Sequence, residues 1–169
     1  MAGIPFRVVT AGVDERRLDG EEAEAYVRRL ARLKAEAIDA PGLVLTADTT
    51  VRVDHHILEK PADAEDAARM LRLLSGRPHD VLTGVCLRRG SHFIVEHEIT
   101  QVYFRQVSDR DIAAYVASGE PMDKAGAYAI QGLASRFIYR IEGCYFNVVG
   151  LPVALVWSLL RDRYSFDAV

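Results

Sequence analysis

Apolar positions recur at three- and four-residue spacing between residues 21 and 38, where Ala23, Tyr26, Val27, Leu30 and Leu33 or Lys34 fall on one stripe. That period predicts an amphipathic helix ended by Pro41-Gly42. The pattern then changes to runs. Phe6-Arg7-Val8-Val9-Thr10 reads as a short strand, and Leu43-Val44-Leu45-Thr46-Ala47 reads as a strand buried on both faces. Residues 49–53 continue as strand, and Asp54-His55-His56 forms the turn leading to Ile57. Asp63 can cap a helix through Ala67, Met70, Leu71 and Leu74, which Gly76 stops. Residues 81–89 and 92–107, separated by Gly90-Ser91, predict a long hairpin. Ser108, three residues before Asp111, starts a further helix. Residues 137–141 read as strand, and Pro152 opens a last helix whose apolar face is drawn from residues 153–160. Helices alternating with strands, plus a long hairpin, predict an α/β domain with a mixed sheet.

Length and composition narrow the class. A chain of 169 residues fits one domain with a real core. Half of it is hydrophobic and the net charge is -3, so an ordinary soluble globular protein is expected, with no general attraction to nucleic acid or anionic membrane. A bound polyanion would need local cations or a metal. No apolar run approaches the ~20 residues of a membrane span, and the N-terminus lacks a secretory pattern. Cys86 and Cys144 are far apart and form no C-x-x-C, which fits unpaired thiols in a reduced cytoplasm.

The densest chemistry lies in Asp123-Lys124-Ala125-Gly126-Ala127-Tyr128-Ala129-Ile130-Gln131-Gly132. Charged groups, a phenol and an amide stand among residues small enough to let backbone approach a ligand. A surface turn would carry fewer apolar residues, so a polar binding wall is expected, with Asp123 and Lys124 at one end and Gln131 at the other. Asp48 follows an apolar run beside Ala47, Thr49 and Thr50, where a catalytic carboxylate and a plain strand-end turn are equally good readings. Lys60, held extended by Pro61, suits a phosphate point charge or a solvated position. Lys34, beside the helix stripe, either snorkels or faces a ligand. Glu15, Asp48 and Asp123 are the acidic set available to a divalent ion, although Asp14-Glu15-Arg16-Arg17 also looks like an exposed charged loop. The histidines lack ligand spacing, and no H-E-x-x-H, G-x-S-x-G, Walker A or G-x-G-x-x-G sequence occurs. Zinc and Ser-His-Asp chemistry are therefore not expected.

Thr46-Ala47-Asp48-Thr49, Glu59-Lys60-Pro61, Leu74-Ser75-Gly76, the 123–132 segment and Val149-Gly150-Leu151-Pro152, in this order and spacing, resemble the Maf family of nucleoside triphosphate pyrophosphatases. The resemblance runs from Gly3 to the final helix. It implies an elongated sheet with flanking helices and a deep cleft between two lobes. It implies hydrolysis of nucleoside triphosphates, in the dTTP/UTP branch, to a monophosphate and pyrophosphate with Mg²⁺ or Mn²⁺. Asp48 corresponds to the proton acceptor and Thr49 and Gln131 to residues that set substrate choice, and the resemblance favours a phosphate-facing Lys34; with it, Lys60 and Lys124 are the expected phosphate-binding cations. A Gln131 amide offers the donor and acceptor that match the N3–H and carbonyl of uracil or thymine.

Two departures stand out. Thr46 occupies a position where the family usually has Gly, which is expected to narrow the backbone's approach. The family also opens with a strand and a Ser-x-Ser-Pro-Arg-Arg loop understood to hold the triphosphate. Here residues 1–6 already resemble the segment after it, and Ser-Pro-Arg-Arg occurs nowhere in the chain. The expectation is a single Maf-like domain over 1–169, N-terminally truncated relative to the family. The alternative function is a catalytically impaired nucleotide-binding or regulatory protein of the same fold. The expected partner is a nucleoside triphosphate, with a homodimer left open and neither nucleic acid nor membrane involved.

Overall fold

The computed structural model describes residues 3–164. Its elements in order are α1 (Ala23–Ala37), β1 (Leu43–Val53), β2 (His56–Leu58), α2 (Ala64–Leu74), β3 (Pro78–Arg89), β4 (His92–Phe104), α3 (Asp109–Ala117), β5 (Ile138–Glu142), α4 (Tyr145–Val149) and α5 (Val153–Tyr164). Short 3₁₀ turns fill the stretch between α3 and β5. The strands form one sheet in the order β2-β1-β3-β4-β5.

The expected α/β class holds, with helices flanking one elongated sheet, but the expected mix of parallel and antiparallel pairs does not. Every strand pairing among the described residues is antiparallel. A parallel pair requires a crossover connection of a dozen or more residues between neighbours. Here β1–β2 and β3–β4 are hairpins, and the helix-bearing link from β2 enters β3 on the far side of β1. The β3–β4 hairpin turns at Gly90-Ser91, as expected, with Gly90 at φ 58° and Arg89 opposite His92. Asp63 and Ser108 cap their helices, accepting from the Asp66 and Asp111 amides at 2.8 and 3.2 Å. Gly76, at φ 72°, closes α2.

Residues 6–10 form no strand. The backbone there has no ladder partner among the described residues, and Phe6 and Val8 are each 81% exposed. Isolated β propensity does not hold a strand without a neighbour. Nor is β1 buried on both faces at its start, since Leu45 is exposed while Val44 and Thr46 are buried. The even-numbered residues face α1: Thr46 Oγ1 donates to Ala31 O at 2.5 Å. On the odd-numbered face, Ala47 packs with the cluster of Val156 and Leu160 from α5.

Gly84 explains how closely α1 lies on the sheet. A Cβ built there would sit 2.3 Å from Val27 O and 2.8 Å from Arg28 N, so the helix backbone rests directly on β3. Gly84→Ala is expected to cost about 1–3 kcal/mol, the usual penalty for overpacking. Activity should fall with it, because α1 carries Lys34. A urea midpoint checks the first effect, and an unchanged midpoint would mean that α1 moves freely.

Candidate active site

β2 pairs only with Val51–Val53, so among the described residues the preceding part of β1 has β3 as its sole strand neighbour. A cleft of about 560 Å³ opens against this part of β1. Glu15, Lys34, Asp48, Thr49, Lys60, Asp123 and Lys124 all line it, so residues spread from the first loop to the 3₁₀ turns meet in one place. Gln131 does not. It is exposed in the turn at 130–132, outside the lining, where the chain folds back so that Leu133 N donates to Glu120 Oε2 at 3.0 Å.

Asp48 lies in the middle of β1, opposite Gly84 of β3, rather than at a strand end. It reaches the cleft because the strand's other side is uncovered at that point, not because the strand stops. Lys34 Nζ stands between two carboxylates, 2.6 Å from Asp48 Oδ1 and 2.8 Å from Glu15 Oε1. The Asp48 side chain is 11% exposed, Lys34 19% and Glu15 42%. Burial raises the Asp48 carboxyl above its ordinary value, and the Lys34 contact offsets only part of that rise. Burial works against the Lys34 charge too, but the two carboxylates overcome it and the ammonium ends raised. Hydrogen bonding to Lys34 lowers Glu15. The fold thus favours the lysine's charge more than that of Asp48, and leaves Asp48 the more basic carboxylate.

The loop carrying Glu15 is anchored from α1. Tyr26 Oη lies 2.9 Å from Glu15 O, and Arg29 Nη2 donates to Arg16 O at 3.0 Å. Tyr26 Oη also contacts the Glu59 carboxylate, which lines the cleft beside Lys60. Sequence reading placed Tyr26 in the helix stripe and gave Glu59 no role. The signal was their company: Tyr26 lies eight residues from Lys34 on the same helix, and Glu59 adjoins Lys60. Gly126 N donates to Glu59 O at 3.1 Å, and a Cβ at Gly126 would meet Val51 at 2.7 Å. Those contacts hold the 123–127 turns against β1 and β2 and bring Lys124 into the cleft wall. Asp123 and Lys124 pair with each other at 2.5 Å on the exposed rim. Tyr128 belongs to the core as much as to the cleft, with its hydroxyl 2.8 Å from His79 Nε2.

Thr46 does not narrow the cleft. It is buried against α1 and is not a lining residue, so a hydroxyl at this position ties helix to strand. The donor set can be tested against a divalent ion. No group of three or more acidic, histidine or cysteine side chains gathers as a metal cage among the described residues. Two carboxylates, Asp48 and Glu15, do converge on one ammonium. This fits a hard cation that shares itself between one or two carboxylates, substrate phosphates and water. Asp123, on the rim, is farther out in the wall. No described helix is long and apolar enough to cross a membrane.

Residues 1–163 match the family described as Maf-like protein. A dTTP/UTP pyrophosphatase of Koribacter versatilis is 53% identical over 163 residues, covering 95% of this chain and 84% of the relative. Proteins of the same name from Syntrophomonas wolfei and Chromobacterium violaceum are 49% and 50% identical. Their alignments cover 95% and 98% of this chain, and 88% and 87% of the relatives.

Proposed function

This chain belongs to the Maf family, and on that footing we propose that it hydrolyses dTTP and UTP to the monophosphate and pyrophosphate. Relatives at about half identity carry the name dTTP/UTP pyrophosphatase over nearly the whole chain. The single structural observation that carries the reading is the partly buried Lys34–Asp48 pair facing a cleft that Lys60 and Lys124 also line.

In this reading the triphosphate lies along Lys34, Lys60 and Lys124, whose ammonium groups offset its charge. Asp48 accepts the proton of a water that adds to phosphorus, and the bond bridging the α- and β-phosphates breaks to release pyrophosphate. Its raised carboxyl makes it a better base than an ordinary aspartate. Only Lys34 bonds this carboxylate among the described residues, through Oδ1, which leaves Oδ2 to take the proton. A divalent ion, when bound, supplies further neutralisation of the phosphate oxygens; Glu15 and Asp48 would hold it, with Asp123 reaching it from the rim. Thr49 and residues 148–150 form the part of the wall left for the base. Gln131 enters through the family resemblance, as a base contact supplied from outside the lining.

Pyrophosphate release from dTTP and UTP should exceed release from ATP and GTP in Mg²⁺ or Mn²⁺. Equal turnover of all nucleotides, or orthophosphate as the sole inorganic product, overturns the proposal.

A further inference from the structure

Behind Thr49 lies a buried polar chain that the reaction itself does not use. Thr49 Oγ1 and Thr83 Oγ1, opposite each other on β1 and β3, are 2.9 Å apart. Thr83 Oγ1 is 3.1 Å from the backbone carbonyl of Asn147 in α4. The Asn147 amide donates to Val81 O and to Thr100 Oγ1, both at 3.0 Å. Thr100 Oγ1 in turn donates to Cys144 O at 3.1 Å and accepts from Cys144 N at 3.0 Å. Thr83, Thr100 and Asn147 are all fully buried. The chain fixes α4 to the sheet at its N-cap and its middle residue, and the residues that follow Asn147 (Val148, Val149 and Gly150) line the cleft.

The direction of these bonds matters more than their number. A hydroxyl has one proton and two acceptor sites, and a carbonyl oxygen only accepts. Both contacts of Thr83 can be hydrogen bonds under one assignment alone: Thr83 donates to Asn147 O, and Thr49 donates to Thr83. The Thr49 proton is then committed to the interior, and what Thr49 offers the cleft is a lone pair. The space beside it is kept open by Gly150, whose φ of 117° disfavours a side chain and whose Cβ position lies 3.7 Å from Thr49 Oγ1.

We propose that Thr83 and Asn147 are positioning residues that make Thr49 an acceptor-only contact, so that the cleft admits a base with an imide N–H and refuses cytosine. Uracil and thymine carry a proton on N3; cytosine presents a bare acceptor at the same ring position, and two acceptors facing each other leave both unpaired. The inference rests on the reading that Thr49 meets the base. It adds that discrimination between pyrimidines is set one residue behind the contact, by the polarity of a buried hydroxyl chain. Losing a hydrogen-bond partner in such a site is how enzymes reject near-isosteric substrates.

The test is the ratio of kcat/KM for dTTP to that for dCTP, with kcat and KM resolved. Thr83→Val removes the acceptor and frees the Thr49 proton to turn outward. The ratio should fall about tenfold or more, for one hydrogen bond's worth of selectivity. The change should lie mainly in KM, with dCTP improving while dTTP weakens. Thr83→Ser keeps the hydroxyl and should keep the wild-type ratio. Where the valine disturbs the thermal melt, Thr83→Ala repeats the comparison without the added methyl. If Thr83→Val keeps the ratio while Thr49→Val loses it, Thr49 reads the base unaided and the inference fails alone. A ratio unmoved by Thr49→Val means that Thr49 does not meet the base, and both readings fall. Equal loss in Thr83→Ser and Thr83→Val assigns the effect to packing and also overturns it.

Discussion

Asp48→Asn should lower kcat for dTTP by ~10²–10⁴-fold, the span typical of a lost general base, while KM changes far less. The amide keeps the size of the carboxylate and can still accept from Lys34 through its carbonyl, so the cleft should keep its shape. Stability should change little, because two effects oppose each other. Burial disfavours the Asp48 charge, and removing that charge relieves the cost. Lys34 loses the charge of one of its two partners but keeps the Glu15 carboxylate at 2.8 Å. In the wild type, activity should rise with pH as Asp48 deprotonates, with a midpoint above the ordinary aspartate range because burial raises the group. The variant should lack that limb. Turnover near the wild-type level in a folded Asp48→Asn protein would place the base elsewhere, with Asp123 the next candidate.

What the sequence made legible, and what it did not, divides along a physical line. Helix caps, the Gly90-Ser91 turn and the α1 stripe are local: a few neighbouring residues determine each, and all are found where the pattern puts them. The gathering of Lys34, Asp48, Lys60 and Lys124 was legible through family motifs rather than through spacing. Strand partnership was not local, which is why the 6–10 segment and the mixed sheet were misread. Asp48 reaches the cleft through the limited extent of β2, a property of a different segment. The polar residues behind the site were invisible for another reason. Thr83 in Val-Leu-Thr-Gly and Thr100 in Glu-Ile-Thr-Gln read as ordinary strand threonines, and only the placement of α4 over the sheet joins them to Thr49. Gly84 lies inside a predicted strand, and only the packing of α1 over it reveals that it sets the distance between α1 and β3 that lets Lys34 touch Asp48.

That contact yields the largest expected change in stability. Lys34→Met keeps much of the side chain's length and removes its charge, leaving Asp48 and Glu15 facing each other across a partly buried space. Breaking one side of a buried pair costs about 3–5 kcal/mol, and the 42% exposure of Glu15 argues for the lower end, about 3 kcal/mol, at pH 7. The pH dependence has a definite sign. Lys34 is raised by its partners, so its contribution is present at neutral pH and is lost only as pH climbs through its folded value. Glu15 is lowered by Lys34, so its contribution is present above its unfolded value and fades as pH falls through its folded one. In Lys34→Met both carboxylates lose the cation that lowered them, and protonation relieves their repulsion. The stability gap between wild type and variant should therefore be widest near neutrality and shrink as the pH is brought down toward 4. Any residual activity should have its rising limb displaced to still higher pH, since Asp48 has lost the group that held it down. Urea midpoints at several pH values measure the gap. A gap that stays constant across that range would mean that Lys34 does not bridge these carboxylates in solution, and the account of Asp48 as a tuned base would fall with it.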